Sequence, residues 1–178
     1  NHETGALNDL NVVGERVLAA GVAWHADAVQ AIGRLPFHFE TSGCGAITTA
    51  SVSGHKLGGP KGVGLLLKRA PFHPLLPGDH GDDTPRAGTP DVPGAAATLV
   101  ALDAALHELG DGEMDRVARL RDTLERGIVE RHPDAVVHAG ATPRLPNTLS
   151  ISIPGRDGAW PDGEELVLEL AAQGVACS

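Results

Sequence analysis

The sequence predicts an α/β domain followed by part of a smaller α+β domain, and three observations carry that expectation. Short, continuous apolar runs, such as residues 22–24 and 63–68, suit strands of a sheet covered on both faces. These runs follow an amphipathic helical stretch in the order helix, strand, loop, strand, strand, which is α/β patterning. The 178 residues are 42% hydrophobic and 21% charged, a globular composition of a length that suits one domain, or most of one plus part of another.

Each element has its own signal. Asn8 and Asp9 can cap a helix running to about Ala20, with Leu10, Val13, Val17 and Ala20 on one face and Gly21 as its stop. The run 22–24 reads as a buried strand that delivers His25 and Asp27 at its C-terminal end, and 28–32 as a turn of helix. A second strand lies within 46–52 and a third at 63–68. Loops rich in Gly, Pro and Asp then run to Pro93. A helix over 95–109 sets Leu99, Leu102, Leu106 and Leu109 on one stripe, and Gly110-Asp111-Gly112 breaks it. The next helix, 114–131, turns Val117, Leu120, Leu124 and Ile128 inward and dense Arg, Asp and Glu outward. Strands at 135–138 and 148–153 and a helix at 164–172 complete the order. The domain break falls at 110–112, dividing 1–110 from 111–178. With two Trp, three Phe and no Tyr, the core is expected to be aliphatic.

Composition narrows the function. A net charge of −9 argues against a nucleic-acid surface, which needs clustered Lys and Arg. No apolar run approaches the ~20 residues of a membrane span. Two cysteines, Cys44 and Cys177, make neither a disulfide framework nor a zinc site, which fits a reducing cytoplasm, and the first nine residues have no signal-peptide pattern. A start at Asn1 and a single methionine, Met114, suggest an internal piece of a longer protein.

The most informative segment is Ser53-Gly54-His55-Lys56-Leu57-Gly58-Gly59-Pro60-Lys61-Gly62-Val63-Gly64. A lysine between a strand and a Gly-rich turn can present its amine at a sheet edge, and desolvation there makes the amine nucleophilic. Taken alone, such a lysine is ordinarily a solvated loop residue. The segment fails as a nucleotide phosphate loop, because Gly62 and not Ser or Thr follows Lys61. Upstream, Asp27 stands just past a buried strand. An Asp there commonly caps the next turn; the functional alternative is an acceptor for a protonated ring nitrogen. A carboxylate at one strand end and a lysine at another are two groups that a pyridoxal phosphate site needs.

HADAVQ at 25–30, SGHKLGGPKGVG at 53–64 and RAGTPDV at 86–92 together resemble the cysteine desulfurases, within the class V aminotransferase-like pyridoxal phosphate enzymes. NHETG at 1–5, RLPNTLSISIPG at 144–155 and GVACS at 174–178 extend the resemblance along the whole chain. It implies a fold type I (aspartate aminotransferase-like) large domain with a mostly parallel sheet flanked by helices. Residues 1–110 would be the later part of that cofactor-binding domain, and 111–178 the first part of the small one. It implies pyridoxal 5'-phosphate as cofactor. Lys56 matches the lysine that holds it covalently and later moves the substrate α-proton. Asp27 matches the partner of the pyridine nitrogen and Gln30 the donor to the phenolic oxygen. Ser53 and His55 match phosphate ligands, and Thr89 a threonine that reaches the phosphate of the other subunit in a homodimer. The implied reaction takes sulfur from L-cysteine, leaving alanine and an enzyme persulfide that feeds an iron–sulfur scaffold or a thiolation acceptor.

Departures accompany the match. His2 stands where the family usually has Asn, a position from which it can still donate a hydrogen bond. The stretch between Asp27 and Lys56 is a few residues longer than usual, an extension placed near 41–45, and Gly78-Asp79-His80-Gly81-Asp82-Asp83 replaces a GGGQE-like loop. Cys177 aligns ahead of the family's nucleophilic cysteine, and neither that cysteine nor the arginine for the substrate carboxylate has a match here. The 178 residues alone are therefore expected to be inactive. No metal is expected. His73, Asp79, His80, Asp82 and Asp83 lack His-x3-His spacing and read as solvated turns, and Cys44 as a loop thiol of unread reactivity. The other readings weighed are a selenocysteine lyase, an aminotransferase- or epimerase-like class V enzyme, and a non-catalytic scaffold. Intact Lys56, Asp27, Ser53 and His55 argue against the last.

Overall fold

The computed structural model describes residues 1–39, 45–69, 74–75, 86–155 and 157–178. These divide into two compact units, Leu7–Arg116 and a second made of Asn1–Ala6 with Val117–Ser178.

The first unit opens with α1, Leu10–Ala20. Asp9 accepts hydrogen bonds from the Asn11 and Val12 amides at 3.0 and 3.2 Å, and Gly21 ends the helix in the left-handed region at φ 62°. Three strands follow: β1 (His25–Asp27), β2 (Thr49–Ser53) and β3 (Gly64–Lys68). They pair in the order β1-β2-β3, parallel between β1 and β2 and antiparallel between β2 and β3, so the described sheet is mixed. The first strand starts later than the apolar run 22–24 suggested, and Val22 is 57% exposed. The ladder begins only where β2 does: the Trp24 carbonyl takes the Thr48 and Thr49 amides, and His25 pairs with Thr49.

Alternation along the strands sorts the sheet into two faces. Ala26, Ala50, Val52, Leu65 and Leu67 turn to a core built on Ala28, Ile32, Ile47, Ala50 and Val52, against which Leu10, Trp24, Phe37, Phe39, Leu57 and Leu102 pack. The aliphatic core is therefore edged by aromatic rings. The opposite face is polar and carries His25, Asp27, Thr49, Ser51 and Ser53.

Helix α2, Val92–Gly110, is capped by Asp91, which accepts from the Gly94 amide at 3.0 Å. Its leucine stripe is only partly its covered face: Leu102 packs against the core, whereas Leu99 and Leu106 are 58% and 49% exposed. Small residues share the packing. Thr98 is fully buried, and Ala101 and Ala105 lie against glycines of two turns. Helix α3, Glu113–Arg131, follows a break at Gly112 (φ 80°).

In the second unit, α3 also departs from its expected stripe. Leu120 and Leu124 are more than half exposed, while Arg121 and Glu125 are partly covered because each bonds to the segment 144–145. The Arg121 Nη1 donates to the Leu145 carbonyl at 2.7 Å, and Arg144 Nη2 meets Glu125 Oε2 at 2.6 Å. A bridge between Ala6 and Arg144 ties in the N-terminal segment. Strands β4 (Val136–Val137) and β5 (Ile151–Ser152) pair antiparallel, and α4 (Gly163–Ala172) is capped by Asp162. No described helix is long and apolar enough to cross a membrane.

Candidate active site

The parallel pair β1 and β2 points two strand ends the same way, and in open α/β sheets ligands bind at such C-terminal ends. Asp27 closes β1 and Ser53 closes β2. Directly after Ser53 the chain tightens into a 3₁₀ turn, Gly54–Leu57, that carries His55 and Lys56.

Glycine explains why the turn can sit there. A Cβ on Gly54 would lie 2.7 Å from Thr98 Oγ1 and 3.0 Å from the Val63 carbonyl, so only glycine lets this backbone lie on α2. Gly58 ends the turn at φ 87°, its amide bonding to the Gly54 carbonyl. The glycine-rich run thus builds a close helix contact and presents Lys56 outward, with its side chain exposed.

The other predicted residues of this unit can be placed beside it. Asp27 accepts the Val29 amide at 3.0 Å through Oδ1, which is the capping role foreseen for it. Its Oδ2 makes no hydrogen bond among the described residues, so capping does not use up the carboxylate. Ser53 Oγ and His55 Nδ1 are 2.9 Å apart, a hydroxyl and an imidazole presented together just ahead of the lysine. Half-buried Gln30 follows in the turn after Asp27. Thr89 is exposed on the loop before α2. His2 belongs to the second unit, where its exposed ring is 4.0 Å from Glu3.

Two features escaped the sequence reading. The His25 ring, on the same sheet face as Asp27, lies 2.8 Å from Thr49 Oγ1 and 3.4 Å from Ser51 Oγ. Arg34 reaches from the turn after β1 to two backbone carbonyls, donating to Gln30 at 3.2 Å and to Lys56 at 2.8 Å. Burial lowers the Arg34 pKa from its ordinary value.

The donor set suits pyridoxal phosphate: an amine, a carboxylate with an oxygen to offer, and a paired hydroxyl and imidazole for an anion. An apolar pocket of about 170 Å³, lined by residues including Phe37, Phe39, Leu67 and Leu102, opens on the core side of the sheet and offers none of these groups. Among the described residues no cluster of three or more His, Cys, Asp or Glu could hold a metal ion. Cys44, the extension near 41–45 up to residue 44, and the segment with His73, Asp79, His80, Asp82 and Asp83 lie outside the described residues.

Comparison with known proteins matches the family model described as aminotransferase class-V over residues 1–178. The chain is 37% identical over 180 aligned residues to a cysteine desulfurase of Trichormus azollae, covering all of this chain and 43% of the relative. It is 38% identical to the cysteine desulfurase NifS of Azotobacter vinelandii, covering 42% of it. A solved NifS-like protein from Rickettsia africae ESF-5 superposes with a TM-score of 0.87 at 25% identity, and another solved NifS-like protein with 0.86 at 32%. All of this chain and 47% of each solved chain are covered. The chain thus shares the fold of NifS-like proteins and spans less than half the length of these relatives.

Proposed function

The chain belongs to the aminotransferase class-V family, and from that premise we propose that it is the later part of the cofactor-binding domain and the first part of the small domain of a pyridoxal phosphate-dependent cysteine desulfurase. Its substrate is L-cysteine, its products are alanine and a persulfide sulfur, and that sulfur passes to an iron–sulfur scaffold or a thiolation acceptor. One observation carries the reading: Asp27 and the Ser53-Gly54-His55-Lys56 turn stand at the C-terminal ends of two adjacent parallel strands. The names of the relatives support the choice of cysteine as substrate.

When bound, pyridoxal phosphate supplies a cationic ring that takes up the electrons released as the substrate loses its α-proton. This chain's residues would hold and orient that group. Lys56 would hold the cofactor through Nζ, and that amine would serve as the base for the substrate α-proton. Asp27 would keep the ring nitrogen protonated, because a carboxylate beside it favours the charged form. Gln30 would donate to the phenolic oxygen, and Ser53 and His55 would donate to the phosphate. Exposed Thr89 serves the phosphate of a second subunit in a homodimer, and His2 donates a hydrogen bond in place of the family's Asn.

The test is covalent mapping. The protein is incubated with pyridoxal phosphate, reduced with borohydride and digested. The expected outcome is cofactor mass on the peptide containing Lys56, and none in Lys56→Ala. Cofactor reduced onto Lys61 or Lys68 instead would overturn the assignment.

A further inference from the structure

We propose that Arg34 is a positioning residue for Lys56: its guanidinium spans the Gln30 and Lys56 carbonyls and sets the direction in which the lysine amine leaves the turn. The inference rests on Lys56 being the cofactor lysine.

The geometry is a two-residue clamp. Arg34 Nη2 donates to the Lys56 carbonyl at 2.8 Å and Nη1 to the Gln30 carbonyl at 3.2 Å. One residue earlier, Gly33 adopts φ 75°, and a Cβ there would lie 2.9 Å from Leu57 Cδ2 and 3.0 Å from Ala105 Cβ. Consecutive residues of one turn therefore hold consecutive residues of the other, Gly33 against Leu57 and Arg34 against Lys56. At the far end, the Ala28 amide donates to the Ser51 carbonyl at 3.0 Å, fixing the Asp27 end of the same turn to β2.

The chemistry of arginine suits this task. A rigid planar fork bonds two acceptors at once, whereas an ammonium is a point donor that holds one geometry less firmly. Arg34 makes no ion pair with a carboxylate among the described residues, and both of its hydrogen-bond partners there are backbone oxygens. Backbone carbonyls belong to rigid peptide planes. Holding the plane that follows the Lys56 Cα restricts ψ at that residue, and with it the Cα–Cβ direction. Since misplacement of a reacting group by about 1 Å can cost two orders of magnitude in rate, a clamp on the lysine backbone acts on the amine without touching it.

The experiment compares wild type, Arg34→Lys and Arg34→Met. Each is mixed with pyridoxal phosphate and quenched with borohydride over time, and the rate and site of attachment are read by mass spectrometry. Circular dichroism confirms that each variant is folded at the assay temperature. Asp9→Ala, which removes the α1 cap far along the chain from the turn, supplies a destabilised control. Wild type attaches at Lys56. Arg34→Met attaches roughly tenfold more slowly or worse, with part of the label moved to Lys61 or Lys68, and Arg34→Lys falls between. Asp9→Ala keeps the wild-type rate and site.

Arg34→Met labelling Lys56 at the wild-type rate, or slowing no more than Asp9→Ala, would overturn the inference and leave the cofactor assignment standing. Wild-type attachment at another lysine would overturn the cofactor assignment and this inference together. If Arg34→Met does not fold, Arg34→Lys decides: a slowed, partly redirected attachment supports the clamp, and wild-type behaviour overturns it.

Discussion

The two units of the chain are held together by different physics. In Leu7–Arg116, the buried hydrophobic residues Ala28, Ile32, Ile47, Ala50 and Val52 form one cluster, and glycines let backbones approach closely around it. In Asn1–Ala6 with Val117–Ser178, Leu145 is the buried hydrophobic residue among those described, and arginines take the structural part. The Arg144 side chain is 8% exposed and pairs with Glu125 at 2.6 Å, while Arg121, 15% exposed, donates to the Leu145 carbonyl. The unit that carries the Lys56 turn is thus built largely on shape, where a shift of one methyl is felt. The other unit relies on charge, which depends on partners and not on volume.

The largest expected effect is on the shape side. Ile47 is fully buried, so Ile47→Ala removes packed methylenes and leaves a cavity, costing about 3–4 kcal/mol. Hydrogen exchange should show the loss at amides of Leu7–Arg116. Equal loss of protection in the second unit would break the distinction drawn here. Next comes Glu125→Ala, which strands the Arg144 cation. Removing one partner of a fully buried pair costs ~3–5 kcal/mol; Glu125 keeps 24% exposure, so about 2 kcal/mol is expected. Arg144 Nη1 already has no hydrogen-bond partner among the described residues. Adding Arg144→Met to Glu125→Ala should therefore recover most of the loss in a urea titration. A double variant as unstable as the sum of the singles would mean that Arg144 matters for its contacts and not for its charge.

Much of this was legible in the sequence, and what was missed has a common cause. Caps are local, so Asp9, Gly21 and the break at Gly110-Asp111-Gly112 could be read from neighbouring residues. The order of strands and helices followed from short apolar runs. Helix faces were misjudged where leucine was taken as the sign of burial. Leu99, Leu106, Leu120 and Leu124 are exposed, because α2 packs through Thr98, Ala101 and Ala105 together with Leu102, and α3 through residues that include Arg121 and Glu125. Small side chains and bonded charges carry little weight in a hydrophobicity pattern. The segment around Lys56 stood out by its motif. Arg34 did not, since its contact with the Lys56 carbonyl spans 22 residues and ends on backbone atoms, which no side-chain pattern encodes.

The smallest expected effect probes charge within the shape-held unit. His107, near the C-terminal end of α2, is exposed; its Nδ1 lies 2.8 Å from the Asp103 carbonyl and 3.6 Å from the Asp103 carboxylate. The hydrogen bond to that carbonyl, and then the Asp103 charge, raise its pKa above the ordinary histidine value of 6.5, with Asp111 adding to the shift. A folded-state pKa above the unfolded one means that folding takes up protons, so the contribution is complete below the unfolded pKa. It fades as pH rises through the folded one. Wild type should therefore exceed His107→Gln in denaturant midpoint at pH 5.5, by a small margin because exposed pairs are screened. The margin should narrow by pH 8.5 and also when salt is raised to ~1 M, where the Debye length is about 3 Å. A margin that widens with pH would show that neutral His107 matters more than its charge, and that the surface of this unit owes nothing to ion pairing at this position.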